Sequence, residues 1–329
     1  MINKNKDNSY KALAEHAGVS TKTVSRYFTN PDIISEKTKQ KLQQAIIDID
    51  FVENKIAKSL AKGDSEYIGI IVPTLELSFF SDILNRIINH ATSFNYKCIV
   101  YVSDQGPDKE RTLINELRSY QVKGIINFSH ILRSSELEMM DMNFVGIERE
   151  IGKFNYIVTD NYRGGFLATQ HLIQQGCDYL IHINSHNEEY LPSHMRINGF
   201  KDASINVAHE LFFDEIITVN DDNGRLKNYL KDKITKHSEN TIGIFCANDN
   251  IARIILNYLV REGYEVPNKI KVIGFDNSQI TTQAILSIST INQNLDLMAK
   301  TAVEWLIDGQ LNQRLIIDPD LIVRETTNK

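Results

Sequence analysis

Cysteine is scarce in this 329-residue sequence, and Cys98, Cys177 and Cys246 stand far apart. The chain has no Cys-x-x-Cys pair and no His/Cys pairing, so it predicts neither a disulfide framework nor a recognisable zinc site. Isolated thiols of this kind are most often small buried side chains. We therefore expect reduced cysteines and a protein that works in a reducing cytoplasm.

Long apolar runs are also missing. No stretch approaches the roughly 18 apolar residues that a membrane-spanning helix needs. Residues 1–6 are polar and lack the apolar segment of a signal peptide. Hydrophobic residues make up 42% of the chain and charged residues 24%, values typical of a folded globular protein. We expect neither secretion nor insertion into a membrane.

Enzyme signatures are a third absence. The sequence contains no G-x-G-x-x-G loop, no G-x-x-x-x-G-K-[ST] phosphate loop, no G-x-S-x-G turn and no H-E-x-x-H helix. His182, His186 and His194 lie near one another in the sequence, but no carboxylate or cysteine at a fixed spacing completes a metal site. We expect no catalytic residues, no metal and no cofactor, and hence not an enzyme.

What the chain does have is an uneven charge. The net charge is −6, yet residues 1–63 hold eleven Lys and Arg against seven Asp and Glu, so this head carries +4 and the remaining chain −10. A basic segment on an acidic body suggests that only the head meets a polyanion, because phosphate contacts supply most nucleic-acid affinity. At roughly 150 residues per domain, the length predicts about two domains.

The head has the periodicity of short helices. Predicted helices span residues 10–17, 21–28 and 36–49. Gly18 ends the first, while Ser20 and Ser35 are suitable N-caps for the second and third, because a serine hydroxyl can accept from a free amide of the first turn. A helix, a glycine-containing turn and a second helix form the pattern of a DNA-reading helix-turn-helix.

From residue 67 onward, strand and helix patterns alternate. The predicted strands span residues 68–72, 98–102, 124–128, 144–147, 157–159, 180–183, 216–219, 242–246 and 272–275. The predicted helices span residues 80–94, 110–120, 134–140, 165–175, 193–205, 224–236 and 249–263. This alternation predicts an α/β core of two doubly wound subdomains, each a parallel sheet with helices on both faces.

Polar and aromatic residues follow the predicted strands at their carboxyl ends, where open parallel sheets bind ligands. They are Phe79, Phe80, Asp82, Glu148, Arg149, Asn248, Asp249, Asp276 and Asn277. Carboxylates and amides exchange hydrogen bonds with sugar hydroxyls, and aromatic rings stack on the apolar faces of a sugar. Helix capping is the alternative for Asp82, Asp249 and Asn277 taken singly. The cluster as a whole favours a ligand cleft.

The segment AEHAGVSTKTVSR at residues 14–26 resembles the lactose-repressor (LacI/GalR) family of bacterial transcription regulators. The resemblance continues in one order through residues 35–38, 54–61, 160–165, 247–249, 273–277 and 290–293. It implies an all-α helix-turn-helix domain over residues 1–53, a hinge helix over 54–64 and a core over 65–329 that resembles periplasmic binding proteins. It further implies an N-subdomain of about residues 65–161 and 294–320, and a C-subdomain of about residues 162–293 and 321–329.

The same resemblance implies the DNA-binding residues. They are Ser20, Thr21, Lys22, Thr23, Ser25 and Arg26 in the head, and Asn54, Ala57 and Leu60 in the hinge. Lys22 and Arg26 can donate to guanine acceptors in the major groove; a phosphate contact without sequence information is the alternative for Lys22. Leu60 matches a residue that wedges into a minor-groove step, but without the motif it is an ordinary packing residue. Glu53 replaces the proline that the family usually carries, which places a carboxylate near DNA phosphate.

In the core, the family's effector residues correspond to Phe79, Phe80, Glu148, Arg196, Asn248, Asp276 and Gln293. Phe79 and Phe80 resemble an aromatic pair that stacks on sugars. The pair at residues 148–149 and the proline-containing loop at 192–200 look most like the sucrose-operon repressors of this family.

These inferences predict a homodimeric repressor of a carbohydrate-utilisation operon. Its predicted partners are operator DNA and a small sugar or sugar phosphate, which would lower operator affinity by binding in the cleft. The alternatives are a global catabolite regulator with a phosphorylated carrier protein as corepressor, a sugar-binding or sugar-modifying enzyme with a basic head, and activation instead of repression. No leucine heptad follows Arg324, so we expect no tetramer built on a terminal coiled coil.

Overall fold

The computed structural model describes residues 9–52, 65–103, 106–185, 188–213 and 224–328. The chain divides into two compact units, Met1–Ser65 and Glu66–Lys329. Within the described residues, no helix is both long and apolar enough to cross a membrane.

The first unit is a small helical domain. Its helices are α1 (Tyr10–Ala17), α2 (Thr21–Thr29) and α3 (Glu36–Asp48), with a 3-10 turn over Pro31–Ile33. They bury one apolar cluster made of Leu13, Ala14, Ala17, Val24, Leu42, Ala45 and Phe51. Gly18 ends α1 at φ +64°, a left-handed conformation that carries no steric penalty without a Cβ atom.

Both predicted serine caps lie at the starts of their helices, but only one accepts from the main chain. Ser20 Oγ accepts from the Thr23 N–H at 3.1 Å, as predicted for α2. Ser35 Oγ bonds to Thr38 Oγ1 at 2.9 Å, and its side chain makes no cap hydrogen bond. The prediction for Ser35 is therefore correct in position and wrong in its hydrogen bond.

The second unit contains two six-stranded sheets. The first, in the N-subdomain, has the order β11-β5-β4-β3-β1-β2, with all neighbouring strands parallel. Its strands are β1 (Tyr67–Val72), β2 (Lys97–Val102), β3 (Ile125–Asn127), β4 (Phe144–Ile147), β5 (Asn155–Thr159) and β11 (Arg314–Ile317). The helices of this subdomain are α4 (Ser78–Ser93), α5 (Pro107–Ser119), α6 (Ser134–Glu138) and α12 (Leu295–Ile307).

The second sheet, in the C-subdomain, has the order β12-β10-β9-β8-β6-β7 and is parallel except for β12, which runs antiparallel to β10. Its strands are β6 (Tyr179–Asn184), β7 (Ala208–Phe213), β8 (Ile242–Cys246), β9 (Ile270–Asp276), β10 (Ser289–Asn292) and β12 (Asp320–Ile322). The helices of this subdomain are α7 (Asn161–Gln174), α8 (Pro192–Ala203), α9 (Gly224–Lys236), α10 (Asp249–Arg261) and α11 (Ile280–Gln283).

Each sheet buries side chains on both faces, as parallel sheets covered by helices must. In β1, for example, Ile68, Ile70 and Val72 belong to one apolar cluster and Ile71 to another, which is the alternation of a strand. The predicted class of two parallel sheets with helices on both faces is thus confirmed.

The differences from the predicted elements lie mainly at the sheet edges. The prediction omits β7, β10, β11, β12, α11 and α12, and the predicted strand at 216–219 lies outside the described residues. β7, β11 and β12 are edge strands with several exposed or half-buried residues, and the four residues of β10 are mostly polar. Strands of these two kinds lack the continuous apolar run by which buried parallel strands are identified.

Candidate functional site

A cavity of about 600 Å³ lies between the N- and C-subdomains, at the carboxyl ends of both sheets. This volume is typical of small-molecule sites. The structure brings all seven predicted effector residues to its lining: Phe79, Phe80, Glu148, Arg196, Asn248, Asp276 and Gln293.

A ring of hydrogen bonds, closed by one ion pair, joins several of these residues. Glu148 Oε1 accepts from the Thr159 N–H at 2.6 Å, and Glu148 Oε2 accepts from Asn161 Nδ2 at 2.8 Å. Asn161 Oδ1 accepts from Arg196 Nε at 2.7 Å. Asn161 therefore fixes the carboxylate of the N-subdomain relative to the guanidinium of the C-subdomain.

The other half of the ring joins Arg196 to Thr159 through Asp276 and Gln293. Arg196 Nη1 lies 3.8 Å from Asp276 Oδ1, which accepts from Gln293 Nε2 at 2.5 Å. Gln293 Oε1 accepts from the Thr159 hydroxyl at 2.7 Å, and Thr159 closes the ring through its N–H to Glu148. Side chains from both subdomains, and from two of the segments that connect them, form one network of buried groups.

Close helix packing determines the position of Arg196. A methyl group at Gly165 in α7 would overlap the main chain at Arg196 in α8, so glycine allows these two helices to approach. The Arg196 guanidinium lies 3.6 Å from the centre of the Phe275 ring and donates to the Ala247 carbonyl. Burial lowers the pKa of Arg196, and the carboxylates of Asp276 and Glu148 oppose that shift.

Two acidic residues of the cavity hold unusual backbone conformations. Glu148 has φ +52° and Asp276 has φ +114°, both in a region that residues with a side chain rarely adopt. Burial raises the pKa of Asp276 well above its ordinary value, although Arg196 opposes this rise. Strained backbone conformations and perturbed pKa values are each concentrated at functional sites.

The aromatic side of the cavity contains three phenylalanine rings, one more than predicted. Phe79 and Phe80 pack edge to face with centroids 5.1 Å apart, and Phe128 lies 6.0 Å from Phe80 at an interplanar angle of 85°. Phe79 is 8% exposed and belongs to the core, whereas Phe80 is half-buried. Phe80 is thus the better placed of the predicted pair for contact with a ligand.

Asn248 caps a helix, whereas capping was the alternative stated for Asp82, Asp249 and Asn277. Asn248 Oδ1 accepts from the Ile251 N–H at 2.9 Å and so caps α10, while the Asn248 side chain also lines the cavity. Asp249 is buried, with hydrogen bonds from Ser278 and Thr290, and burial raises its pKa to about 7. Asp249 therefore has a structural role behind the cavity.

Asp82 and Asn277 also make tertiary contacts instead of capping helices. Asp82 Oδ2 accepts from the Gln279 N–H at 2.7 Å, which links the N-subdomain to the C-subdomain. Asn277 Oδ1 accepts from Arg324 Nη2 at 2.7 Å. The capping alternative is thus wrong for both residues.

Ser78, at the start of α4, makes a second link between the subdomains. Its N–H donates to Asn250 Oδ1 at 3.0 Å and its hydroxyl donates to the same oxygen at 2.5 Å. The hydroxyl also lies 3.0 Å from Ser278 Oγ. These contacts join the two subdomains beside the cavity in the conformation shown.

The residues considered for a metal site do not form one where the chain is described. His182 is fully buried, and its Nδ1 bonds to the Phe245 carbonyl at 3.0 Å. His186 lies outside the described residues. No group of three His, Cys, Asp or Glu in the described ranges could hold a metal ion. The three cysteines are free, with Cys177 and Cys246 buried and Cys98 half-buried.

The predicted DNA-contacting residues of the head lie on or beside α2. Thr21, Lys22 and Arg26 are exposed, and Lys22 and Arg26, four residues apart, share one helix face. Thr23 and Ser25 are half-buried, and the Ser20 hydroxyl is engaged with Thr23 as the helix cap. The predicted hinge residues Asn54, Ala57 and Leu60, together with Glu53, lie outside the described residues.

Sequence reasoning did not select several residues that the structure brings to the cavity or its ring. Asn161 and Thr159 belong to the ring, and Phe128, His130 and Tyr190 line the cavity. Asn161 is the second residue after a predicted strand and lies in a segment that carries the family resemblance, so its position contained a usable signal. Tyr190 follows no strand, and no local pattern predicts that its ring lies 6.3 Å from that of His130.

Two protein families match this chain. Residues 11–54 match "Bacterial regulatory proteins, lacI family", and residues 169–327 match "Periplasmic binding protein-like domain". The first match covers the described helices of the head, and the second covers most of the C-subdomain together with α12.

Relatives of similar length match along most of the chain. The chain is 26% identical to the ribose operon repressor of Halalkalibacterium halodurans, over 96% of both chains. It is 28% identical to the sucrose operon repressor of Streptococcus mutans serotype c, over 90% of both. Among solved structures, it is 30% identical to a periplasmic binding protein/LacI transcriptional regulator from Alkaliphilus metalliredigens QYMF complexed with D-xylulofuranose. The alignment covers 80% of this chain and 100% of that one, with a TM-score of 0.70.

Proposed function

This chain belongs to the lacI family of bacterial regulatory proteins, and from that membership we propose the function that its cavity supports best. The protein is a DNA-binding transcriptional repressor and not an enzyme. Its proposed target is a carbohydrate-utilisation operon, and its proposed effector is a small sugar or sugar phosphate that binds between the subdomains and releases the operator. The cytoplasm is the proposed location, because the operator lies there.

One observation carries this proposal. The seven residues predicted from sequence line one cavity of about 600 Å³. Four of the six residues in the ring, Glu148, Arg196, Asp276 and Gln293, line this cavity from both subdomains and offer the donors and acceptors that sugar hydroxyls require. Relatives named for ribose and sucrose operons, and one solved with D-xylulofuranose, support a sugar as the ligand.

We propose that Thr21, Lys22 and Arg26 contact base edges and that Ser20, Thr23 and Ser25 contact phosphates. In a two-fold dimer, two copies of α2 would read the halves of a pseudo-palindromic operator. Asn54, Ala57 and Leu60 remain the proposed hinge contacts. The domain ranges 1–53, 54–64 and 65–329 belong to the same proposal.

The proposed release mechanism needs an effector that favours one arrangement of the subdomains over another. Contacts such as Ser78 to Asn250 and Asp82 to Gln279 exist only while the subdomains keep the arrangement shown. A ligand held by Glu148 on one side and Arg196 on the other would change the balance between this arrangement and its alternative. The resulting coupling free energy lowers operator affinity.

Fluorescence anisotropy on a labelled palindromic operator tests the proposal. We expect tight, salt-sensitive binding that one sugar weakens. Arg196→Ala should keep operator binding and lose its response to the sugar. Arg163→Ala is the matched control, because Arg163 is an exposed arginine in α7 that pairs with Asp318 at 2.6 Å and does not line the cavity.

Two results would contradict different parts of the proposal. A normal response to the sugar in a folded Arg196→Ala protein would mean that the cavity is not the effector site. Operator binding that no sugar changes would replace the sugar with another effector, with a phosphorylated carrier protein as corepressor being the first to test.

A further inference from the structure

The charged side chains around the cavity are mainly acidic. Of the described lining residues, Glu76, Glu148, Glu188 and Asp276 carry carboxyl groups, and Arg196 is the single lysine or arginine. A phosphate ester brings up to two negative charges into the same space. Negative charges that share one cavity, from which part of the water is excluded, repel each other strongly.

Arg196 has little capacity left for an anion. Asp276 lies 3.8 Å from its Nη1 atom, and the guanidinium has already given its Nε–H to Asn161 and an Nη1–H to the Ala247 carbonyl. Among the described residues, Nη2 has no hydrogen-bond partner, so it can donate to a ligand. One arginine edge beside the Glu148 carboxylate and the Asp276 carboxyl group suits a hydroxyl, whereas a phosphate requires several donors without a competing anion.

The helix starts at the cavity supply only part of the missing donors, because each has an N–H group of its first turn engaged or replaced by proline. Free N–H groups at a helix start are the usual cradle for a phosphate. Here the Ser78 N–H of α4 donates to Asn250, and the Ile251 N–H of α10 donates to Asn248. The third helix, α8, begins at Pro192, which has no N–H.

His130, the remaining basic side chain of the lining, stays neutral at pH 7. Burial, together with the nearby charge of Arg149, lowers the pKa of its imidazole to about 4. Arg149 is buried behind the lining, 3.8 Å from Glu110, and donates to the Leu132 carbonyl. Its positive charge therefore faces a carboxylate of the protein and not the cavity.

We propose that the effector is an uncharged sugar and that this cavity rejects sugar phosphates. The inference rests on the proposed function and narrows its ligand class. The uncharged hydroxyls would exchange hydrogen bonds with Glu148, Asn248 and Arg196, and a sugar face would lie against Phe80. An uncharged sugar can make each of these contacts, and it places no additional negative charge beside the carboxyl groups of the lining.

Calorimetric titration with matched pairs is the first test. The pairs are D-ribose and ribose 5-phosphate, D-fructose and fructose 6-phosphate, and sucrose and sucrose 6-phosphate. We expect the uncharged member of the binding pair to bind at least tenfold more tightly than its ester. An ester that binds as tightly as its parent sugar, or more tightly, overturns the inference while leaving the proposed function intact.

A charge variant tests the cause. Glu76 lines the cavity and is exposed, so Glu76→Lys should fold normally and should reduce the preference for the uncharged sugar by about threefold or more. Glu262→Lys is the control, because it makes the same charge change at the far end of α10. An unchanged preference in Glu76→Lys would mean that the charge of the lining does not select the ligand.

Inorganic phosphate gives a result even if none of the chosen sugars binds. Relative to chloride at the same ionic strength, we expect phosphate to raise the unfolding temperatures of the wild type and of Arg196→Ala equally. A phosphate-specific rise in the wild type that Arg196→Ala loses would reveal a phosphate site in the cavity and overturn the inference. Failure of every sugar with no such rise counts against the proposed sugar effector itself.

Discussion

Replacing Asn161 by aspartate tests whether the ring of hydrogen bonds prepares the cavity for its ligand. Asn161 Nδ2 donates to Glu148 Oε2 at 2.8 Å and to the Thr159 carbonyl at 3.0 Å, while Oδ1 accepts from Arg196 Nε at 2.7 Å. Aspartate has nearly the same shape and keeps the acceptor for Arg196. It loses both donors and places a carboxylate oxygen against two oxygens.

The expected magnitude follows from those contacts. A hydrogen bond to a charged group contributes about 1.5–3 kcal/mol, and a neutral one about 1 kcal/mol. Losing both from a buried site should weaken the prepared arrangement by about 3 kcal/mol. If the ligand must restore that arrangement, its affinity falls by up to about a hundredfold, since about 1.4 kcal/mol corresponds to a factor of ten.

Calorimetric titration measures effector binding by this variant, and fluorescence anisotropy measures its operator binding. We expect weaker effector binding and unchanged operator binding in the absence of effector. Asp160→Asn is the matched control, because Asp160 caps α7 from the neighbouring position and asparagine caps equally well. A folded Asn161→Asp protein with less than a threefold loss, or an equal loss in the control, would refute a positioning role for the ring.

Three further predictions concern other parts of the core. Gly165→Ala should separate α7 from the helix that carries Arg196, lowering both the unfolding temperature and effector affinity in thermal and calorimetric assays. Burial lowers the pKa of His182 to about 3, so the neutral form stabilises the fold above its ordinary pKa and this stability is lost as pH falls. Urea unfolding of the wild type should show a loss of about 2 kcal/mol between about pH 7 and pH 5 that His182→Leu lacks. Asp82→Ala removes the acceptor of the Gln279 N–H across the subdomains and should lower the free energy of unfolding by about 1–3 kcal/mol in the same assay; no change would mean that this link does not hold the subdomains together.

Local patterns along the chain were sufficient for the central elements of the fold. Both β4 (Phe144–Ile147) and β8 (Ile242–Cys246) have the predicted bounds, and every residue in them is buried. Such strands need a continuous apolar run, because helices cover both faces of a parallel sheet. Ser20 at the start of α2 was equally predictable, since a cap depends on residues within one helical turn.

Some of the residues that line the candidate cavity could be predicted from the sequence, because the topology of a parallel sheet determines where they lie. A residue directly after a parallel strand lies at the ligand-binding edge whatever the order of the strands. This rule is enough to select Glu148, Asn248 and Asp276 from the sequence. It says nothing of what those side chains bond to.

The tertiary structure alone decided those bonds. Thr159 and Gln293 are 134 residues apart in the chain and hydrogen-bond to each other, and Ser78 meets Asn250 across 172 residues. Only the crossing of the chain between two subdomains brings these groups together. In the same three-dimensional arrangement, Asn248 caps α10, and Asp249 is buried and accepts hydrogen bonds from Ser278. The sequence does not show which of these two neighbouring polar residues takes which role. The sequence by itself therefore determined which elements form and which residues stand at their ends. The packing of those elements decided which oxygen faces which donor, because hydrogen-bond geometry depends on distances in space and not along the chain.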